Sequence, residues 1–239
     1  MDNFKQNRIK KIELASGILI GIIIIGFIAY VIYQRENVIA GMLRIITSPA
    51  VLITDFLVIG GIGAVFLNAF LILIFNLTLT KLLKVEINGL VIACFFTVFG
   101  FSFFGKNILN VLPFYLGGIL YSVFEHIDFK EIFITICFTT ALAPFVSEVA
   151  FRVDTTDTSY INAIALGIII GFIVTPLAKK MANFHEGFNL YNLGFTGGIL
   201  GAVITSILKL YHFQIIPTRI ISTEFDLALK ILCTAVFIA

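Results

Sequence analysis

Phe56-Leu57-Val58-Ile59-Gly60-Gly61-Ile62-Gly63-Ala64-Val65, continued as FLNAFLILIFNLTLT to Thr80, carries no charged side chain from end to end. A bilayer-spanning helix needs about 20 apolar residues, so this run alone is long enough to cross. The same pattern extends to either side. Uncharged runs cover Leu14 to Gln34, Ile45 to Thr54 ahead of Asp55, Ile87 to Gly105, Asn107 to Phe124, Ile132 to Ser147, Thr158 to Ala178 and Gly187 to Leu208. A last run, from Ile231, is cut short at Ala239. With connections of about 8 residues, the expected fold is an all-α membrane protein with seven to eight transmembrane helices.

Composition agrees. Of 239 residues, 59% are hydrophobic and 13% charged, against roughly 45 to 50% and about 25% in soluble domains. A net charge of +2, with no basic run interleaved with aromatics, argues against a nucleic-acid partner. Lys5, Arg8, Lys10 and Lys11 before Leu14 imitate a signal peptide, but the apolar run is too long and no small-residue cleavage site closes it. It reads as a first span. Cys94, Cys137 and Cys233 stand at no metal or redox spacing and read as small lipid- or core-facing thiols. No cofactor and no metal are expected. The segment from Glu36 to Pro49, mixing Arg44 with aliphatic residues, suits a short interfacial helix. Nine basic residues, the pairs Lys81/Lys84 and Lys179/Lys180 among them, fall on the side of the N-terminus and six on the other. The positive-inside rule then places the N-terminus in the cytoplasm of a multi-pass plasma-membrane protein.

Displacing the sequence by 137 positions lays Gly60-Gly61-Ile62 over Gly197-Gly198-Ile199, and Asp55 over Asn192. The second span thereby matches the seventh. A shift of five spans reverses direction through the membrane, as an inverted-topology repeat requires. Residues 1–151 would be the first five-span repeat, with its cytoplasmic tail. Residues 152–239 would begin a second, inverted repeat that the chain does not complete.

Polar groups at membrane depth are costly and are candidates for function by default. Asp55 precedes the helix-breaking Gly60, Gly61 and Gly63, and is either a helix cap or part of a solute path. In Gly105-Lys106-Asn107-Ile108-Leu109-Asn110-Val111-Leu112-Pro113, a cation and two amides separate two apolar runs. This is a tight outer hairpin or a re-entrant bend, with Lys106, Asn107 and Asn110 as candidates for a solute and Pro113 as a helix breaker. The competing view is a snorkelling lysine with asparagine caps. Thr139, Thr140, Pro144, Ser147 and Glu148 form a polar stripe beside a proline kink, where Glu148 is either proton-coupling or a helix-end anchor. His185 to Gly198 supplies Asn189, Tyr191, Asn192 and Thr196, with Gly194, Gly197 and Gly198 as breaking positions. His185-Glu186 lacks the second histidine of a zincin, position 189 being Asn189. Gly194/Gly198, Gly197/Gly201, Gly17/Gly21 and Gly167/Gly171 are also small-xxx-small pairs that suit helix packing or a homo-oligomer.

Several of these strings together resemble a known family: Ile53-Thr54-Asp55 with Gly60 to Ala64, FSFFGKN at Phe101 to Asn107, Ala143 to Glu148, and Asn189 to Thr196. They are similar to an uncharacterised multi-pass bacterial membrane family known only as domain of unknown function fifteen seventy-six. That resemblance implies a bacterial inner-membrane protein and no particular activity. The stretch from Tyr191 to Gly198 also resembles, more weakly, the pore loop of urea channels, built from two inverted five-helix units. The expected function is a channel or secondary transporter for a small polar solute, embedded in the lipid bilayer and lined by broken helices. An intramembrane enzyme using His185, Glu186 or Asp55 would need a nucleophile–base spacing or nucleotide motif that is lacking. A non-transporting sensor or assembly subunit is the remaining alternative.

Overall fold

The computed structural model describes residues 36–49, 54–151, 157–184, 186, 192–211, 223–224 and 226–238. Among them the chain is helical, with no strand beyond an isolated bridge between Asp55 and Phe104. In order the helices are α1 (Val38–Thr47), α2 (Phe56–Gly60), α3 (Ile62–Leu82), α4 (Gly89–Phe101), α5 (Ile108–Phe124), α6 (Phe129–Thr139), α7 (Pro144–Ala150), α8 (Asp157–Phe184), α9 (Asn192–Leu210) and α10 (Asp226–Ile238), with a 3-10 turn at Thr140–Leu142. The described residues of Val38–Ile221 form one compact unit, those of Met1–Asn37 and Ser222–Ala239 another. In the latter, α10 carries an exposed i, i+4 ion pair, Lys230 to Asp226 at 3.6 Å, a type worth a few tenths of a kcal/mol.

All-α architecture and broken helices hold; among the described residues the number of spans is lower than seven to eight. Three of the described helices are long and apolar enough to cross a membrane, Ile62–Leu82, Ser159–Phe184 and Asn192–Leu210, and a fourth if the pair Phe129–Leu142 and Pro144–Ala150 is one span bent by 48°. The reason is that an uncharged run is not the same as a continuous helix. The run ending at Gly105 holds only the 13 residues of α4, about 20 Å at 1.5 Å per residue against a hydrocarbon core of about 30 Å. Its helix stops at Ser102, whose hydroxyl turns back to the Val98 carbonyl at 2.8 Å. Helix α5 has 17 residues and α10 has 13. The expected first span from Leu14 to Gln34 lies outside the described residues.

Two helix breaks have clear causes. Asp55 caps α2, its Oδ1 accepting from Leu57 N at 2.9 Å. One turn later Gly61 adopts φ 86°, ψ 164°, a region essentially closed to residues with a Cβ. The carbonyls freed there are answered from α1: Arg44 Nε donates to Ile59 O at 2.7 Å, and Gly41 packs directly on the Gly60 carbonyl. At the second break, Pro144 opens α7 after the 3-10 turn. Pro113, by contrast, sits inside an unbroken α5. Gly194, Gly197 and Gly198 likewise lie within the continuous α9. These four positions do not break their helices. Pro113, near the N-terminus of α5, forfeits one helical hydrogen bond, and glycine in a helix costs only about 1 kcal/mol relative to alanine.

The tightest packing is between α5 and α8. A Cβ on Gly117 would strike the Ile168 carbonyl, and one on Gly171 the Phe114 carbonyl, while Gly167 faces the Pro113 ring. The small-xxx-small pair Gly167/Gly171 thus works within the chain, letting two backbones touch. Around it Phe114, Phe133, Ile136, Ile170 and Val174 close the core.

The distribution of polarity is inverted relative to a soluble domain. Lys106 is 1% exposed whereas Phe96 is 73% exposed; Asn68, Asn76, Ser102 and Ser147 are buried, and Ile161, Phe124 and Leu120 point outward. Water would penalise both halves of that arrangement. A hydrocarbon surround favours both, which makes this the apolar helical body of a membrane protein.

Candidate functional site

The candidate site is built around the turn that joins α4 to α5. Gly105 takes φ 78° there and abuts the Pro144 ring. From one side, the start of α2 pairs with the turn through the Asp55–Phe104 bridge and a Phe56 N to Phe103 O hydrogen bond of 3.2 Å. From α3, the Asn68 amide donates to two of its carbonyls, Ser102 O at 2.9 Å and Lys106 O at 2.8 Å. From α5, Asn110 Nδ2 donates to Gly105 O at 2.9 Å and to Ser147 Oγ of α7 at 2.8 Å. Four helices thus converge on six residues.

At the mouth of α5, Asn107 and Asn110 form a reciprocal capping box. Asn107 Oδ1 accepts from Leu109 N at 3.0 Å and Asn110 N at 2.9 Å, and Asn110 Oδ1 accepts from Asn107 N at 2.9 Å. This satisfies helix-end donors that would otherwise be orphaned in an apolar medium. Asn110 thereby uses its whole amide. Asn107 does not: its buried Nδ2 has no hydrogen-bond partner among the described residues, and neither has Asn68 Oδ1. Lys106, whose carbonyl accepts from Asn68, holds its Nζ 5.3 Å above the Phe101 ring. Among the described residues no carboxylate forms an ion pair with it. A cation–π contact contributes about 2 kcal/mol when desolvated, less than the several kcal/mol that removing an ammonium from water costs.

Of the residues expected from the sequence, the structure brings together Asp55, Lys106, Asn107 and Asn110, with Ser147 bonded to Asn110; Glu148, the next residue of α7, is buried. Asp55 and Asn107 cap helices, as one of the two views expects, and both caps stand at one polar junction. Lys106 is buried, so the snorkelling alternative does not describe it. Asn192 and Thr196 are placed elsewhere. Asn192 Nδ2 donates to Ala178 O of α8 at 3.1 Å, and the Thr196 hydroxyl donates to Asn192 O at 2.8 Å. Asn189 and Tyr191, with His185, lie outside the described residues; Glu186 is an exposed turn residue with φ 50°.

Sequence reasoning missed Asn68 and a second polar group deeper in the bundle. Tyr115 donates its hydroxyl to Asn76 Oδ1 at 2.6 Å, and the Cys137 thiol reaches the same oxygen at 3.1 Å. Cys137 is therefore part of a hydrogen-bonded group and not only a packing thiol. The available signal was the pair of amides, Asn68 and Asn76, inside the very run that otherwise reads as pure hydrocarbon. Among the described residues no group of three His, Cys, Asp or Glu side chains is placed to hold a metal ion.

Residues 34–210 match a family model described as "Protein of unknown function (DUF1576)". No curated protein matches the chain. No solved structure matches it.

Proposed function

Since the chain belongs to the DUF1576 family, whose description carries no activity, its role has to be argued from its own residues, and we propose that it is a channel or secondary transporter for a small polar solute. The observation that carries this is the polar junction at Lys106, where Asn68, Asn107, Asn110 and Ser147 are buried inside an apolar body, with Glu148 buried at the next position of α7. The junction lies between two helix breaks, at Gly61 and Pro144. Broken helices within a membrane present backbone donors, acceptors and dipole ends to a solute, the arrangement seen in inverted-repeat transporters. In this reading the protein is multi-pass in the bacterial plasma membrane, with a cytoplasmic N-terminus, residues 1–151 as one repeat and 152–239 as the start of its inverted partner. Asn189, Tyr191, Asn192 and Thr196 extend the path.

The test is solute flux into proteoliposomes, using osmotic swelling with a panel of small neutral and charged solutes that includes urea. Permeation above empty vesicles, lost in Ser147→Leu while the variant remains folded, supports the reading. A well-folded protein that passes nothing in the panel overturns it. A second reading, a non-transporting sensor or assembly subunit, is favoured by one observation. Among the described residues a Cβ at Gly197 or Gly198 would meet nothing within 4 Å, so that face of α9 has room for another helix. Crosslinking of a cysteine placed at Gly198 to its counterpart in a second copy would support this alternative.

A further inference from the structure

We propose that the Lys106 junction is a binding site for a small monovalent anion, a halide or a short carboxylate. As cargo the anion rests on the transport reading; as a bound ligand it does not. Two donor groups stand at consecutive residues, and a helix start follows them. Lys106 is buried and forms no ion pair among the described residues. Asn107, 1% exposed, carries a buried Nδ2 with no partner among the described residues, while its Oδ1 is fixed on the first turn of α5. Helix α5, of 17 residues, starts at the next residue and adds its positive dipole end, with Asn107 Oδ1 already accepting from two first-turn donors.

An ammonium and a spare amide donor both await negative charge, and a low-dielectric surround raises the cost of leaving them without it. The two carboxylates of the junction do not supply it to Lys106. The Asp55 side chain accepts from Leu57 N at the head of α2, and Glu148 belongs to α7 and makes no ion pair with the lysine. One ammonium and one amide match a single charge and a small ligand. A divalent anion would leave charge uncompensated in an apolar medium.

The experiment measures the Tm of the detergent-purified full chain while chloride or formate replaces gluconate at constant ionic strength. A ligand that binds only the folded state raises Tm by mass action. We expect a saturable rise of roughly 5 °C at 100 times Kd, with chloride alone indicating a halide site and formate as well a carboxylate site. The rise should persist in Lys81→Met, at an exposed lysine, and vanish in Lys106→Met. Should Lys106→Met fail to fold, Asn107→Asp serves instead. Aspartate keeps the cap but brings its own negative charge, so this variant should fold and show no response. No saturable rise with either anion, or an equal rise in the Lys106 or Asn107 variant, overturns the proposal. Failure of the two readings is separable. Stabilisation without flux leaves the site and removes transport, whereas flux of a neutral solute without stabilisation removes the anion site alone.

Discussion

The α5–α8 crossing and the Lys106 junction are both buried, and they are buried in opposite ways. At the crossing, glycines at 117, 167 and 171 bring backbone against backbone with nothing between. At the junction, side-chain amides bridge backbones that have left their helices, through Asn68 and Asn110. The glycine contacts themselves need no polar partner, and one turn beyond Gly171 only the Thr175 hydroxyl is left over among the described residues. The junction has several polar side chains to satisfy, and leaves Asn107 Nδ2 and Asn68 Oδ1 over. In a bilayer, where no water stands by to repair a lost hydrogen bond, the first arrangement suits permanence and the second suits a site that exchanges partners.

Substitutions can break or sharpen this contrast. The largest effect is expected at the crossing: Gly171→Leu drives a side chain into the Phe114 backbone. It should cost roughly 3 kcal/mol or more, read as loss of a monodisperse detergent peak; a well-folded variant would mean that the two helices can separate. Next comes Asn110→Leu, which strips partners from Gly105 O, Ser147 Oγ and Asn107 N. Orphaned buried groups cost about 1 to 3 kcal/mol each, so a fall in Tm of less than about 4 °C would show that solvent already reaches the junction. Asp55→Ala removes only a cap and should cost about 1 kcal/mol in chemical unfolding. Gly198→Ala, on the open face of α9, should be neutral or stabilising by a few tenths of a kcal/mol. Destabilisation there would mean that another helix covers that face.

What could be read from the sequence follows the same division. Charge-free runs gave the all-helical membrane body, and the Gly60-Gly61 and Lys106-Asn107 strings gave a break and a turn, because each of those features is local. Helix length was not legible. Composition says that residues 87–105 are apolar, but not that Ser102 folds back on Val98 and ends the helix early. Gly197 and Gly198 resemble Gly60 and Gly61 letter for letter, yet only Gly61 adopts a positive φ. The difference lies in what surrounds the pair: α1 supplies Arg44 and Gly41 to the opened backbone at Gly60, and nothing lies within 4 Å of a Cβ at Gly197 or Gly198. Asn68 escaped notice because averaging over a run hides a single amide, although one amide holds the turn.

That amide also acts as a mechanical link. Asn68 stands seven residues beyond Gly61, about 10 Å along the axis at 1.5 Å per residue, and it grips the carbonyls of Ser102 and Lys106 at its far end. A helix pivoting at a glycine is a lever whose arm is that length. A swing of about 10° displaces its tip by nearly 2 Å, which exceeds the slack of a hydrogen bond. Tilting α3 therefore either drags the lysine's backbone with it or lets it go.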